Sequence, residues 1–166
     1  MTDKFETRPW RADDLPILRM SESLFAPQTY PQRFLTRGRR LRPLHQRVAD
    51  QPAVPGHRWT GQVGLAGDRI IALAECSWDP ADPASPILTV NVADAWQASG
   101  FGRRTLRDLV SRCLCMGLTT FTVDYAASNV ALHAMLNSIS TEMGPRYTVS
   151  GVTRAGLGHL TVRASG

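Results

Sequence analysis

The sequence predicts a mixed α/β (α+β) fold, with a central sheet of about six to seven strands flanked by about four helices, in one domain spanning residues 1–166. Three observations predict it. Strand-like and helical stretches alternate along the chain. Ile87 to Tyr125 reads strand, helix, strand, and a right-handed crossover through that helix makes its two strands parallel. Hairpin patterns on either side add antiparallel strands, so the sheet is mixed. With 43% apolar and 20% charged residues the composition is globular rather than disordered. At 166 residues there is room for one substantial core, while two would be cramped.

Phe5 to Arg8 alternates and reads as a short first strand. Ala12-Asp-Asp-Leu-Pro is a helix start with acidic residues in its first turn, and Leu15, Leu18, Met20 and Leu24 supply the apolar stripe. A second helical region, Pro31 to Asp50, is broken around Gly38 and Pro43 and carries Phe34, Leu35, Leu41, Leu44 and Val48. Its arginines, Arg33, Arg37, Arg39, Arg40, Arg42 and Arg47, form either a solvated basic face or the border of an entrance that favours an acidic partner.

Gln51 to Gly56 is loop by its prolines and glycine. Trp59 to Leu65 and Arg69 to Trp78 flank the Gly67-Asp68 turn and form a hairpin. The second arm is apolar enough to be a central strand, and Glu75 interrupts it. Asp79 to Pro86 reads as a proline-rich loop before the strand Ile87 to Val92. From about Gly100 to near Gly117 an amphipathic helix turns Leu106, Leu109, Val110, Cys113 and Leu114 inward, and Arg103, Arg104, Arg107 and Arg112 outward. Gly117 is its C-cap. Leu118 to Tyr125, rich in β-branched and aromatic residues, is a strand. Asn129 opens the last helix, with Leu132, Met135, Leu136 and Ile139 inward. Tyr147 to Val152 and His159 to Arg163 close the chain as a hairpin.

The stretch that carries chemistry joins the strand ending at Val92 to the helix starting near Gly100. A glycine-containing turn lets backbone N–H groups approach a ligand, and the helix start adds the positive end of its dipole, which together make an anion site. A dinucleotide site needs Gly-x-Gly-x-x-Gly directly after a strand, but Thr105 stands at the third glycine and several residues separate Val92 from Gly100. A phosphate loop needs Gly-Lys-Ser/Thr, whereas Arg103 and Arg104 follow Gly102. An ordinary strand–turn–helix with surface glycines uses the same residues.

What remains is Gln97-x-x-Gly100-x-Gly102, which resembles the acyl-CoA motif of the GNAT (Gcn5-related) N-acetyltransferases. The order of elements is similar to that family over nearly the whole chain. The resemblance implies the GNAT fold and an acyl-CoA-dependent N-acyltransferase, with acetyl-CoA as donor and co-substrate, no metal, and an amine of a small molecule or protein as acceptor. It implies that Gln97, Ala98, Ser99, Gly100, Phe101, Gly102, Arg103 and Arg104 hold the pyrophosphate. Val90 and Val92 would pair with the pantetheine arm, and Asn129 would contact it, although a plain N-cap role explains Asn129 as well. The Tyr30-Pro-x-Arg-Phe pattern loosely resembles the acetyltransferase domain of bacterial protein-lysine acetyltransferases.

The sequence departs from the family in its proton-handling groups. Ile87 stands where parts of the family carry a glutamate, Leu136 and its neighbours where many carry a tyrosine, and Ser140-Thr141 where many carry Gly-Phe. Candidate catalytic carboxylates are Glu75 and Asp124, with His133 a further substitute; each has an ordinary structural reading too. Direct transfer through water needs none of them. The departures leave a second reading open, a catalytically impaired acyl-CoA-binding regulatory module.

The net charge of +5 comes from arginines, since Lys4 is the only lysine, and a CoA site needs such charge for its phosphates. Nucleic acid is therefore not expected as a partner, and a homodimer is left open. No run approaches the roughly 18 apolar residues of a membrane span, and no signal peptide is evident, so a cytoplasmic protein is expected. Cys76, Cys113 and Cys115 form no Cys-x-x-Cys pair and are expected to be buried thiols.

Overall fold

The hairpin of β2 (Arg58–Ala66) and β3 (Arg69–Asp79) lies at the heart of the fold, turning at Gly67 and Asp68 where Gly67 adopts φ 60°. The structure, a computed structural model, describes residues 4–25, 43–51, 55–126, 130–145, 147–154 and 157–164. The remaining strands are β1 (Phe5–Pro9), β4 (Asp82–Val92), β5 (Thr120–Ala126), β6 (Tyr147–Arg154) and β7 (Leu157–Ala164). The helices are α1 (Asp14–Ser21), α2 (Leu44–Asp50), α3 (Phe101–Cys115) and α4 (Val130–Met143). Seven strands form one sheet in the order β1-β2-β3-β4-β5-β7-β6, antiparallel except for the parallel pair β4 and β5. Among the described residues the expected mixed sheet forms, flanked by four helices. Among the described residues no helix is long and apolar enough to cross a membrane.

Alternation along the strands divides the apolar residues between two faces of the sheet. On one face Ala74, Cys76 and Leu88 pack with Leu106, Leu109, Val110 and Cys113 of α3 and with Leu136 and Ile139 of α4. On the other, Val63, Ile71 and Leu73 pack with Leu18 and Phe25, and with Leu44 and Val48 of α2. Tertiary bonds fix α1 and α2 on that second face. Arg8 of β1 donates to both oxygens of the fully buried Asp14, at 2.5 and 2.8 Å. Glu22 accepts from the N–H groups of Leu44 at 2.6 Å and His45 at 3.0 Å, capping α2 from a distant part of the chain.

Gly117, at φ 86°, closes α3 as expected: its N–H donates to Leu114 O and that of Leu118 to Cys113 O, a Schellman arrangement. Four expectations are corrected. Asp82 to Pro86 belongs to β4 rather than to a loop, because Asp79 pairs with Asp82 and continues the hairpin past a register shift. Prolines are tolerated there because no pairing with β5 is made before Ile87. Arg112 does not point outward; it is half-buried and donates to Thr60 Oγ1 at 2.9 Å and Gly61 O at 2.6 Å. Cys115 is exposed, being two positions round the helix from buried Cys113. Met20 is 74% exposed, off the stripe that Leu18 buries.

Candidate active site

β4 and β5 are paired at one position only, Ile87 opposite Thr122. Beyond it both strands keep their outer partners: β4 runs on against β3 as far as Ala72 opposite Val92, and β5 runs on against β7 as far as Ala126 opposite Leu157. The edge of β4 from Leu88 to Val92 therefore has no ladder partner in β5, and its N–H and C=O groups need another. The two central strands part where they should be most secure.

The turn that follows continues this opening. Ala93 N–H is anchored to Ile71 O at 2.8 Å, and Asp94–Trp96 makes one 3₁₀ turn. Gln97 Nε2 donates to Asp94 Oδ1 at 2.9 Å, Ser99 Oγ donates to Trp96 O, and Ala98 adopts φ 59°. The chain enters α3 through Gly100 at φ 83°, in a conformation that disfavours side chains. The cap bond is Arg104 N–H to Gly100 O; Phe101 N–H reaches Ser99 Oγ at 3.5 Å, and the N–H groups of Gly102 and Arg103 precede the helical ladder and point forward from it. Gln97 to Gly100 is exposed.

The two glycines of the motif serve different ends. A Cβ on Gly100 would meet nothing within 4 Å, which leaves open space over the turn. A Cβ on Gly102 would run into the Val92 Cγ2 methyl and come within 3.4 Å of Met135 Cε, so Gly102 is required for α3 to lie close on β4. Gly102 is buried.

The cations divide likewise. Arg103 bonds to Ser138 Oγ at 2.9 Å and Glu142 Oε1 at 2.8 Å, tying α3 to α4. Arg104 is exposed and stands over the Phe5 ring at 5.3 Å, and Phe5 itself stacks on Phe101 at 4.2 Å. A glycine turn with forward-pointing N–H groups, an arginine beside it and an unpaired strand edge leading to it fit a long ligand with a phosphate end and an amide-bearing arm. The donor set suits acetyl-CoA.

Glu75, 3% exposed, sits opposite Thr89 on the α1/α2 face. Arg47 of α2 grips it with both terminal nitrogens, Nη1 to Oε1 at 2.9 Å and Nη2 to Oε2. Trp59 Nε1 donates to Oε1 at 3.1 Å and Thr89 Oγ1 to Oε2 at 3.3 Å. Gly61, directly across the ladder from Glu75, has no side chain to compete with the Trp59 ring. Neighbouring on the same face of β4 is Asn91, fully buried.

The sequence marks Glu75 but not the partners that surround it. Arg47 was one of six arginines with no mark to separate it, and Trp59 and Thr89 carried no signal. Asn91 could have been found, since a carboxamide inside the apolar run Leu88 to Val92 is out of place. Arg33, Arg37, Arg39, Arg40, Arg42 and Asn129 lie outside the described residues. Asp124 is on β5 opposite His159, and His133 is on α4; the placement of both side chains lies outside the description.

No family model matches this sequence, and no curated protein does. Solved structures share its fold. The GNAT domain of PAT from S. lividans superposes with a TM-score of 0.71 over 93% of this chain and 88% of that one, at 19% identity. A putative acetyltransferase from Salmonella typhimurium, solved with acetyl-CoA, gives 0.68 over 96% and 93% at 16% identity. The ribosomal-protein-S18-alanine N-acetyltransferase of Escherichia coli gives 0.65 over 98% and 96% at 16% identity. The protein is of the α/β class whose central parallel strands part beside a glycine turn. Its fold is that of the GNAT N-acetyltransferases.

Proposed function

We propose that this chain, as one domain, is an acyl-CoA-dependent N-acyltransferase that takes acetyl from acetyl-CoA to an amine. The observation that carries this reading is the parting of β4 from β5 after a single pair, leading straight to the Gln97–Gly102 turn. Structures of the same fold are named as acetyltransferases, and one was solved with acetyl-CoA. Bound there, acetyl-CoA supplies an acetyl group activated as a thioester.

The residues of the chain would divide the work as follows. Backbone groups of Val90 and Val92 pair with the pantetheine amides along the free edge. N–H groups from Ala98 to Arg103 and the Arg104 charge hold the pyrophosphate, and Asn129 is a further contact to the arm. The amine would come to the α1/α2 face of β4, where the polar groups Glu75, Thr89 and Asn91 stand in line. Glu75 is the proposed proton acceptor, reached through the Thr89 hydroxyl that bonds to it, with Asp124 the second carboxylate.

A specific observation favours the other reading, an impaired acyl-CoA-binding module: both oxygens of Glu75 are already bonded, and Ile87 supplies no carboxylate of its own. Thiol release from acetyl-CoA across a panel of amines separates the two. Turnover is expected; tight acetyl-CoA binding by calorimetry with no turnover would favour the module instead. An Arg47→Met, Glu75→Met double variant then tests the proton acceptor without stranding a buried charge, since apolar replacement of such a pair is often neutral for stability. Its kcat should fall by about 10², and an unchanged kcat would leave direct transfer through water.

A further inference from the structure

Asn91 is fully buried in the middle of β4, opposite Leu73, and among the described residues neither its Nδ2 nor its Oδ1 has a hydrogen-bond partner. Gln62 and Arg112 also leave one buried polar atom unpaired, but each bonds through another atom; Asn91 leaves its whole carboxamide idle. An idle amide costs the fold, because an apolar side chain of the same shape would lose no hydrogen bonds to water on burial. Such a group is kept for something that arrives later.

Its position says what. Asn91 lies within the Leu88–Val92 stretch that has no β5 partner, and it shares with Thr89 and Glu75 the α1/α2 face, on which the acceptor is proposed to sit. A carboxamide offers a donor and an acceptor together, so its best complement is a neutral group that offers both, such as another amide. Because Asn91 is deep, the part of an acceptor that reaches it must be next to the reacting nitrogen. A lysine side chain brings only methylenes beside its amine and would leave Asn91 unpaired. An α-amine brings a peptide group two bonds away.

Resting on the acyltransferase reading above, we propose that Asn91 is a specificity-determining residue that pairs with the amide beside the acceptor's amine. The acceptor class is then a peptide N-terminus or amino-acid amide, not a lysine ε-amine. A site built to hydrogen-bond one substrate group discriminates strongly against an analogue that lacks it, because its own polar atoms are left unpaired.

The test compares two acceptors with acetyl-CoA and the full chain: alanine amide, with a free α-amine, and Nα-acetyl-lysine amide, with a free ε-amine. Wild type is expected to favour the α-amine by at least tenfold in kcat/KM. Lower basicity favours α-amines with any enzyme at neutral pH, so the variant decides. Asn91→Leu should cut kcat/KM for alanine amide tenfold or more and leave the ε-amine rate and acetyl-CoA affinity unchanged. The melting temperature of the free protein should hold or rise. An unchanged ratio in Asn91→Leu, or a wild-type preference for the ε-amine, overturns the inference while the acyltransferase reading stands. A lower melting temperature with both rates reduced alike also overturns it, and marks Asn91 as a structural amide holding a buried water. If wild type acetylates neither amine nor any other in the panel, the acyltransferase reading falls and takes this inference with it.

Discussion

Gly102 shows how a residue of a ligand motif can also be required by packing. In the sequence it belongs to a pattern that resembles the acyl-CoA motif. In the fold its missing side chain is what lets α3 approach Val92. Gly102→Ala should therefore destabilise by about 1–3 kcal/mol, the usual cost of overpacking. Pairing it with Val92→Ala, which opens the space the new methyl needs, should recover part of that loss. Chemical denaturation of the two variants checks this, and a double variant no more stable than Gly102→Ala would mean that Val92 is not the obstacle. Gly100 is the residue whose open side faces solvent over the turn, so effects on acetyl-CoA affinity are better sought there.

At the scale of elements, the attachment of α1 to β1 depends on a buried charge pair. Burial alone would push the Asp14 carboxyl up, but the Arg8 hydrogen bonds, the Arg11 N–H at 2.7 Å and both positive charges together outweigh it and hold the group below its ordinary value of 3.8. A folded-state value below the unfolded one means that the folded protein holds the carboxylate more firmly ionised. The resulting stability is fully present above the unfolded value near 3.8 and is lost as pH falls through the lower folded value. Asp14→Ala should cost about 3 kcal/mol at pH 7, the low end for breaking a buried pair. The gap to wild type should narrow only below pH 4. Urea titrations at several pH values measure it, and a gap that persists undiminished at the lowest pH would assign the loss to packing rather than charge.

At the scale of the whole molecule, the sheet is complete along every junction except the one between β4 and β5. A ligand that fills that junction should stabilise the molecule as a whole, because it binds the folded state alone. At a concentration one hundred times its Kd, acetyl-CoA should add about 2.7 kcal/mol. For a chain of this length that is a rise in melting temperature of roughly 5–10 °C. Amide exchange should slow most from Leu88 to Val92 and from Ala98 to Arg103. A rise in melting temperature without protection on the β4 edge would place the ligand elsewhere.

Most of the fold was legible in the sequence because its determinants are local. Among the described residues period and punctuation gave most helices and strands, Gly117 gave the end of α3, and the strand–helix–strand order from Ile87 to Tyr125 gave a parallel pair. Local reading failed where residues gain their character from distant neighbours. Asp82 to Pro86 reads as loop until β3 is beside it and β5 is not. Arg112 reads as outward until the Gly61 carbonyl meets it.

The site divides in the same way. The turn Gln97 to Gly102 is a contiguous backbone device, so spacing alone revealed it. Glu75 was visible as an interruption, but Arg47 is 28 residues away in sequence and Trp59 is 16, and only the folding of α2 over the sheet brings all three together. The sequence by itself determined the architecture and marked the turn from Gln97 to Gly102. The tertiary structure decided which polar groups spend their hydrogen bonds on the protein and which, like Asn91, are left with bonds to give, because partnership across the chain is set by packing and leaves no periodic trace.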